Sequence, residues 1–476
     1  MISMKNIIAL LGLCLFANVS IAEVTMPAIF TDNMVLQQQM EAPIWGWASP
    51  NATVNITTSW DGKEYTAAAN SDGEWKAKMS TPEAGGPYTI RISDGDQLEL
   101  ENVLIGEVWL CSGQSNMEMP LKGFPGQPIL GGNEAIINSR NDRIRLITVP
   151  RKSTVQPQDN FEGKWEQAAP AVVSNFSATA WFFGTQLYDV LGVPIGLVHV
   201  SWGGSSIEAW MSEQMLADFK DEIKIPQSED EIDVPNRTAT ALYNGMITPV
   251  AGYGIKGAIW YQGESNNGRP DQYEELMVTM VREWRSLWGE GQFPFYYAQI
   301  APFNYGMFSP NEVIEKNNSA YLREAQLQAM ERIPNSGMAV LMDIGEKENI
   351  HPADKAAGGH RLAYWALAET YGIEGFEYKG PAFEAMEIKG STVIVAFENV
   401  PVGITSYGKE VTSFEVAGED KKFYPATAVL RRKSVMLSSP HVDKPVAVRY
   451  AFEDFVVGEI FSTGGIPMSS FRTDDW

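Results

Sequence analysis

Ser115, His351, Asn266 and the adjacent Gly203 and Gly204 have the residue types that ester hydrolysis requires. A hydroxyl becomes a nucleophile only when a base removes its proton, and the oxygen that turns negative during acyl transfer needs fixed N–H donors. Ser115 sits in Ser112-Gly113-Gln114-Ser115-Asn116, a polar stretch that abruptly ends the apolar run beginning at Gly106. Such a run reads as a buried parallel strand stopping at the carboxyl edge of an open α/β sheet, where those sheets place their chemistry. Taken alone, Gly-x-Ser-Asn is also ordinary turn chemistry, so the partners decide.

The chain has 4 histidines. His199 lies inside an apolar strand and reads as a core residue, His360 stands mid-helix beside Arg361, and His441 falls in a loop near the end of the chain. His351 follows the last predicted strand of the central region and precedes its last helix, on the same rim as Ser115. It is the candidate base. A carboxylate usually orients such a ring; Glu348 and Asp343 are the candidates, and local spacing favours Glu348. Two further strand ends offer oxyanion donors beside the Ser115 N–H itself. Ile195 to Ser201 runs into Trp202-Gly203-Gly204, where glycine lets backbone N–H groups approach closely. Ile255 to Gln262 runs into Gly263-Glu264-Ser265-Asn266, where the Asn266 amide can donate. Gln114, Trp202, Gln262 and Glu264 are expected to bind substrate or buttress the pocket, with Glu264 alternatively only a supporting partner. Cys111 reads as a small buried hydrophobe.

Alternating strands and helices must position these residues. Between about 104 and 375 the strands are Arg143 to Val149, Ile195 to Ser201, Ile255 to Gln262, Phe293 to Ile300 and Met338 to Ile344. Helical spacing marks Ser177 to Leu191, Asp271 to Trp288, Ala320 to Arg332 and Ala353 to Tyr371. Such alternation predicts β-α-β units and a doubly wound parallel sheet. Residues 23–103 alternate with a period of two between Asp-Gly and Gly-Gly turns, as in a small sandwich with Trp45, Trp47 and Trp75 in its core. Residues 376–476 become β-rich again, and the aromatic segment Phe471 to Trp476 is expected to dock.

Bulk properties bound the function. The net charge of −23 argues against nucleic acid or an anionic membrane as partner. Residues 1–22 read as an export leader: Lys5, an apolar core from Ile7 to Ala17, and a small-x-small site at Ser20-Ile21-Ala22. No later stretch can span a membrane, so an exported protein, periplasmic or secreted, is expected. Asn-x-Ser/Thr patterns, among them Asn317-Asn318-Ser319, carry little weight. The histidines are scattered, with no His-x-x-x-His pair for a metal.

The order Ser115, Gly203-Gly204, Asn266, His351 resembles the SGNH hydrolase superfamily, whose four blocks supply nucleophile, glycine donor, asparagine donor and base. Gly113 to Met117, His199 to Gly204, Trp260 to Asn266 and Ile350-His351-Pro352 are similar to the sialic-acid-specific 9-O-acetylesterase family in particular. So are Phe30 to Gln37 and Phe471 to Trp476, and the likeness covers nearly the whole mature chain. It implies an α/β SGNH-hydrolase-like doubly wound parallel sheet flanked by N-terminal and C-terminal β-rich regions. It also implies a serine esterase without metal or cofactor, whose substrate is O-acetylated sialic acid or a sialoglycan. Two departures stand out. The superfamily often has Asp three residues before its base, where this chain has Glu348, so the orienting group stays open between Glu348, Asp343 and a backbone contact. Position 117 is Met, so the Gly-x-Ser-x-Gly elbow of α/β-hydrolases is missing. Competing expectations are an acetylesterase acting on xylan or another polysaccharide, and a noncatalytic glycan-binding protein.

Overall fold

The computed structural model describes residues 24–308 and 318–476. The expected leader, residues 1–22, and the pattern at Asn317 lie outside the described residues.

One strand of 17 residues, Gln97–Gly113, lays out the molecule. Its first half pairs antiparallel with Gly85–Ser93 and, at Leu104 to Gly106, parallel with Val35–Gln37. Its second half is buried between Ile195–Ser201 and Gly257–Tyr261, both parallel to it. The central sheet runs Ser336–Ala339, Phe295–Ala298, Gly257–Tyr261, Gln97–Gly113, Ile195–Ser201 and Asn141–Thr148, all parallel, and ends on the antiparallel Glu166–Ala168.

Side chains alternate between its faces. Val108, Leu110 and Trp260 pack with Trp284 and Leu322 under the helices Pro270–Trp288 and Asn318–Arg332. Trp109, Cys111 and Ile259 pack with Phe183 and Trp365 under Ala178–Leu191 and Lys355–Trp365. A parallel sheet covered on both sides needs such near-continuous apolar strands. Trp210, Trp260 and Trp284 add two edge-to-face contacts, with centroids 6.1 and 5.7 Å apart, each contributing roughly 0.5–1.5 kcal/mol beyond burial. Local signals set the helix ends. Ser177 accepts from the Ala180 N–H and Asp354 from the Ala357 N–H, while Gly192 and Gly289 close their helices in the left-handed conformation.

After Ile195–Ser201 the chain crosses to Gly257–Tyr261 on the other side of Gln97–Gly113. This is the reversal of strand order at which open α/β sheets form their crevice. Register sets Gly113 level with both Ser201 and Tyr261. Three loops therefore leave the sheet at one height, carrying Ser115, Gly203 and Asn266.

Most expected elements stand within a few residues. The last strand is shorter and earlier than expected, Ser336–Ala339, and the chain turns away where Asp343 forms a two-bond pair with Arg361, both 2.7 Å. The last helix starts at Lys355 and loosens after Trp365 into a wider turn, Ala366–Thr370. In the N-terminal β region Trp75 is buried, whereas Trp45 and Trp47 are only half-buried. The boundary expected between 103 and 104 falls inside Gln97–Gly113, because that one strand pairs in both regions. The C-terminal segment is docked: Phe471–Arg472 pairs with Ala447–Tyr450, Asp474 with Arg449, and Arg472 with Glu324.

Gly113 has φ 139°, and a Cβ there would meet the Tyr261 carbonyl oxygen at 2.2 Å. Gly113→Ala should therefore destabilise the protein by about 2 kcal/mol or more, read as a lower melting temperature. An unchanged melting temperature would show that this strand end tolerates displacement.

Candidate active site

Ser115 opens a four-residue helix, Ser115–Glu118, directly after the central strand. The residue is 9% exposed, and among the described residues its hydroxyl makes no hydrogen bond. Its N–H is one of the first-turn donors that a helix cannot satisfy internally. Gly203 packs against it: a Cβ on Gly203 would stand 3.2 Å from the Ser115 Cβ.

His351 lies between two tight turns, Phe124 to Gln127 and Glu346 to Asn349. The Phe124 ring meets the imidazole edge-on at 5.4 Å. The imidazole Nδ1 is 2.7 Å from Gln127 Oε1. A carboxamide oxygen only accepts, so Nδ1 carries the proton and Nε2 keeps its lone pair. This corrects the expected orienting acid. Glu348 is exposed at the tip of the Glu346 to Asn349 turn, and Asp343 is committed to Arg361. The loop itself is held by Asn349, which accepts from the His351 N–H and donates to the His351 carbonyl, and by Glu346, which accepts from the Ala353 N–H.

Asn116 joins these pieces. Its Nδ2 donates to Glu264 Oε1 at 2.5 Å and to the Ile350 carbonyl at 3.1 Å, and its Oδ1 accepts from Lys355 Nζ at 2.5 Å. Lys355 also donates to the Pro352 carbonyl at 2.9 Å. The residue after the serine is thereby tied to the residue before the histidine. Burial raises the Glu264 pKa and lowers that of Lys355 to about 7, while the Glu264 charge partly restores the ammonium. Burial, then the Lys355 charge, lowers His351 to about 4. The ring is therefore a neutral base at any pH well above that value.

Other predicted residues turn out to be braces. Gln114 Oε1 accepts from the Gly263 and Ser265 N–H groups. Gln262, fully buried, donates to the Ser205 carbonyl and to Asn266 Oδ1, and accepts from the Tyr273 hydroxyl. With Glu264 bonded to Asn116, all three are buried and committed to internal hydrogen bonds. The Asn266 Oδ1 also accepts from the Ile207 N–H, and its Nδ2 donates to Glu208 at 3.0 Å, so this carboxamide is a brace with one hydrogen uncommitted rather than the free donor expected. The Gly203 N–H is likewise not free, since it donates to Glu118 Oε2 at 2.8 Å. Among the described residues the Gly204 N–H has no acceptor. Asn236 and Arg237 hold the Gly203 and Gly204 carbonyls. Trp202 is half-buried beneath the Arg151 guanidinium, 5.6 Å from its ring centroid.

The sequence reading missed Asn116, Gln127, Lys355, Glu118 and Arg151. Only Asn116, inside the serine motif, and Gln127, closing a Pro125-Gly126 turn, carried a local signal. Arg269 is bonded to Glu208 and Gln272. His199 is core, with Nε2 on the Ser201 hydroxyl, and Cys111 is fully buried, which pushes its thiol pKa up. Among the described residues no cluster of three His, Cys, Asp or Glu could hold a metal ion.

Residues 105–367 match the family described as carbohydrate esterase, sialic acid-specific acetylesterase. The sialate O-acetylesterase of Homo sapiens is 29% identical over 465 residues, covering 88% of this chain and 86% of that protein. That of Pongo abelii is 30% identical over 408 residues, covering 78% of this chain and 76% of that protein. A crystal structure of a carbohydrate acetylesterase from Xanthomonas citri is similar with a TM-score of 0.86 and 37% identity, covering 95% of this chain and 100% of that one.

An imidazole whose pKa burial and Lys355 lower to about 4, acting as the base, would set the acid side of the pH profile. The kcat/KM should hold down to about pH 5 and fall as pH drops through 4, because protonation removes the lone pair. Gln127→Glu places a carboxylate on Nδ1 and Lys355→Met removes a nearby cation. Both should raise the His351 pKa and move the acid limb upward. A limb unmoved in both would show that His351 is not the titrating base.

Proposed function

The chain belongs to the carbohydrate esterase, sialic acid-specific acetylesterase family, and from that premise we propose that it removes O-acetyl groups from sialic acids through an acyl-enzyme on Ser115. The sheet with its strand-end loops is read as an SGNH hydrolase fold. One observation supports the assignment above the others: Asn116 ties the serine helix to the His351 loop, while Gln127 fixes the tautomer that leaves Nε2 as base. His351 takes the hydroxyl proton as Ser115 Oγ attacks the acetyl carbonyl. No hydrogen bond joins the two side chains in this structure, and such contacts commonly tighten only with substrate bound. The oxyanion is received by the N–H groups of Ser115 and Gly204, with the uncommitted Asn266 hydrogen as a third candidate. One such donor is typically worth about 3–4 kcal/mol of barrier. His351 then returns the proton to the departing sugar oxygen, and a water activated by the same ring releases acetate.

The leader-like residues 1–22 support an exported protein acting in a periplasm or outside the cell. Among the described residues no helix is long and apolar enough to cross a membrane. A second reading, an acetylesterase for xylan or another polysaccharide, keeps every residue in the same role. It draws support from the Xanthomonas citri relative, named as a carbohydrate acetylesterase.

Ser115→Ala should lower kcat on O-acetylated sialic acid by about 10³-fold or more while circular dichroism stays unchanged. Retained activity would end the assignment of Ser115. Faster hydrolysis of acetylated xylo-oligosaccharide than of O-acetylated sialic acid would favour the second reading.

A further inference from the structure

We infer that Arg151 is the residue that receives the carboxylate of the sugar, and so decides between acidic and neutral acetylated substrates. This rests on the sialate reading above. A sialic acid differs from a xylan sugar by a carboxylate, which needs a cation with uncommitted N–H groups close to the nucleophile. Most cations around Ser115 are already engaged. Lys355 is buried on Asn116 and the Pro352 carbonyl, and Arg269 is bonded to Glu208 and Gln272. Arg237 is exposed, holding the Gly204 carbonyl through Nε, and among the described residues no ring lies beneath it.

Arg151 is held differently. Its Nε donates to Glu118 Oε1 at 2.6 Å, and the other oxygen of that carboxylate accepts from the Gly203 N–H, the residue packed on Ser115. Its guanidinium lies over the Trp202 ring. The cation–π contact and the ion pair through Nε hold the group from one side, and among the described residues its two terminal nitrogens have no partner, a fork that can match a carboxylate. The side chain is 54% exposed. It lines a cavity of about 430 Å³ with Lys152, Asn160, Phe161 and Glu162, and there the Lys152 ammonium is already held by Gln158. In a chain of net charge −23 an anionic sugar needs a cation of this kind to offset the general repulsion.

The test compares an O-acetylated sialic acid with its carboxyl methyl ester, for wild type, Arg151→Gln and Arg151→Lys. The ratio of kcat/KM between the two substrates cancels any general loss of activity. Wild type should prefer the free acid by about 10- to 100-fold, the range for hydrogen bonds to a charged group. Arg151→Gln should abolish that preference through KM, and Arg151→Lys should keep part of it, since the charge remains and the fork does not. A full preference retained in Arg151→Gln, or no preference in wild type, would overturn the inference. Wild type that cleaves acetylated xylo-oligosaccharide but not O-acetylated sialic acid would instead overturn the sialate reading on which it rests.

Discussion

The buried carboxamide of Asn116 is the interaction on which the candidate site depends. Its oxygen and nitrogen face a lysine, a glutamate and a main-chain carbonyl. In water each contact would be weak. Inside the protein the low dielectric strengthens all of them together and makes the loss of any one costly. Lys355 and Glu264 are both drawn toward neutrality by burial, and each is held charged partly by the other across this amide. Such pairs are poor sources of net stability, and here the second Glu264 oxygen, Oε2, is buried without a partner among the described residues. Here they tie the Ser115 helix to the His351 loop, two segments more than two hundred residues apart in the chain.

The network has work to do because the sheet delivers three loops at one level. Gly113, Ser201 and Tyr261 are register partners, so the residues after them begin from the same height at the reversal of strand order. The glycine loop is then drawn to the serine helix by Glu118, and the Asn266 loop to the Gly203-Gly204 side by Glu208 and Ile207. The histidine comes from a fourth loop, which has no strand neighbour to align it. That loop is held by its own side-chain bonds, from Asn349 to both main-chain groups of His351 and from Glu346 to the Ala353 N–H.

Much of this was legible in the sequence. Apolar runs broken by Gly and Ser marked the strand ends, so Ser115, Gly203-Gly204 and His351 could be placed on one rim before any coordinates, and the motifs carried the family resemblance that the comparisons bear out. Partner choice was not legible. Glu348 has the spacing of an orienting acid, but a two-residue turn points it to solvent and Gln127, more than two hundred positions away, takes its place. Asn266 and Gly203 have the right types for donors, yet carboxylates from other loops reach them first. Spacing along a chain says which groups can meet. It does not say which of several eligible acceptors arrives, because that follows from loop paths set by the whole core. A local change of composition likewise does not reveal that one strand, Gln97–Gly113, serves two pairings.

That shared strand has a mechanical consequence. The β-rich N-terminal region and the catalytic sheet hold opposite halves of Gln97–Gly113, so swinging one against the other would require bending a fully paired backbone rather than flexing a linker. Domain closure of the clamshell kind is therefore foreclosed on this side. The spacing between the two regions is thus set by the length and pairing of a single strand.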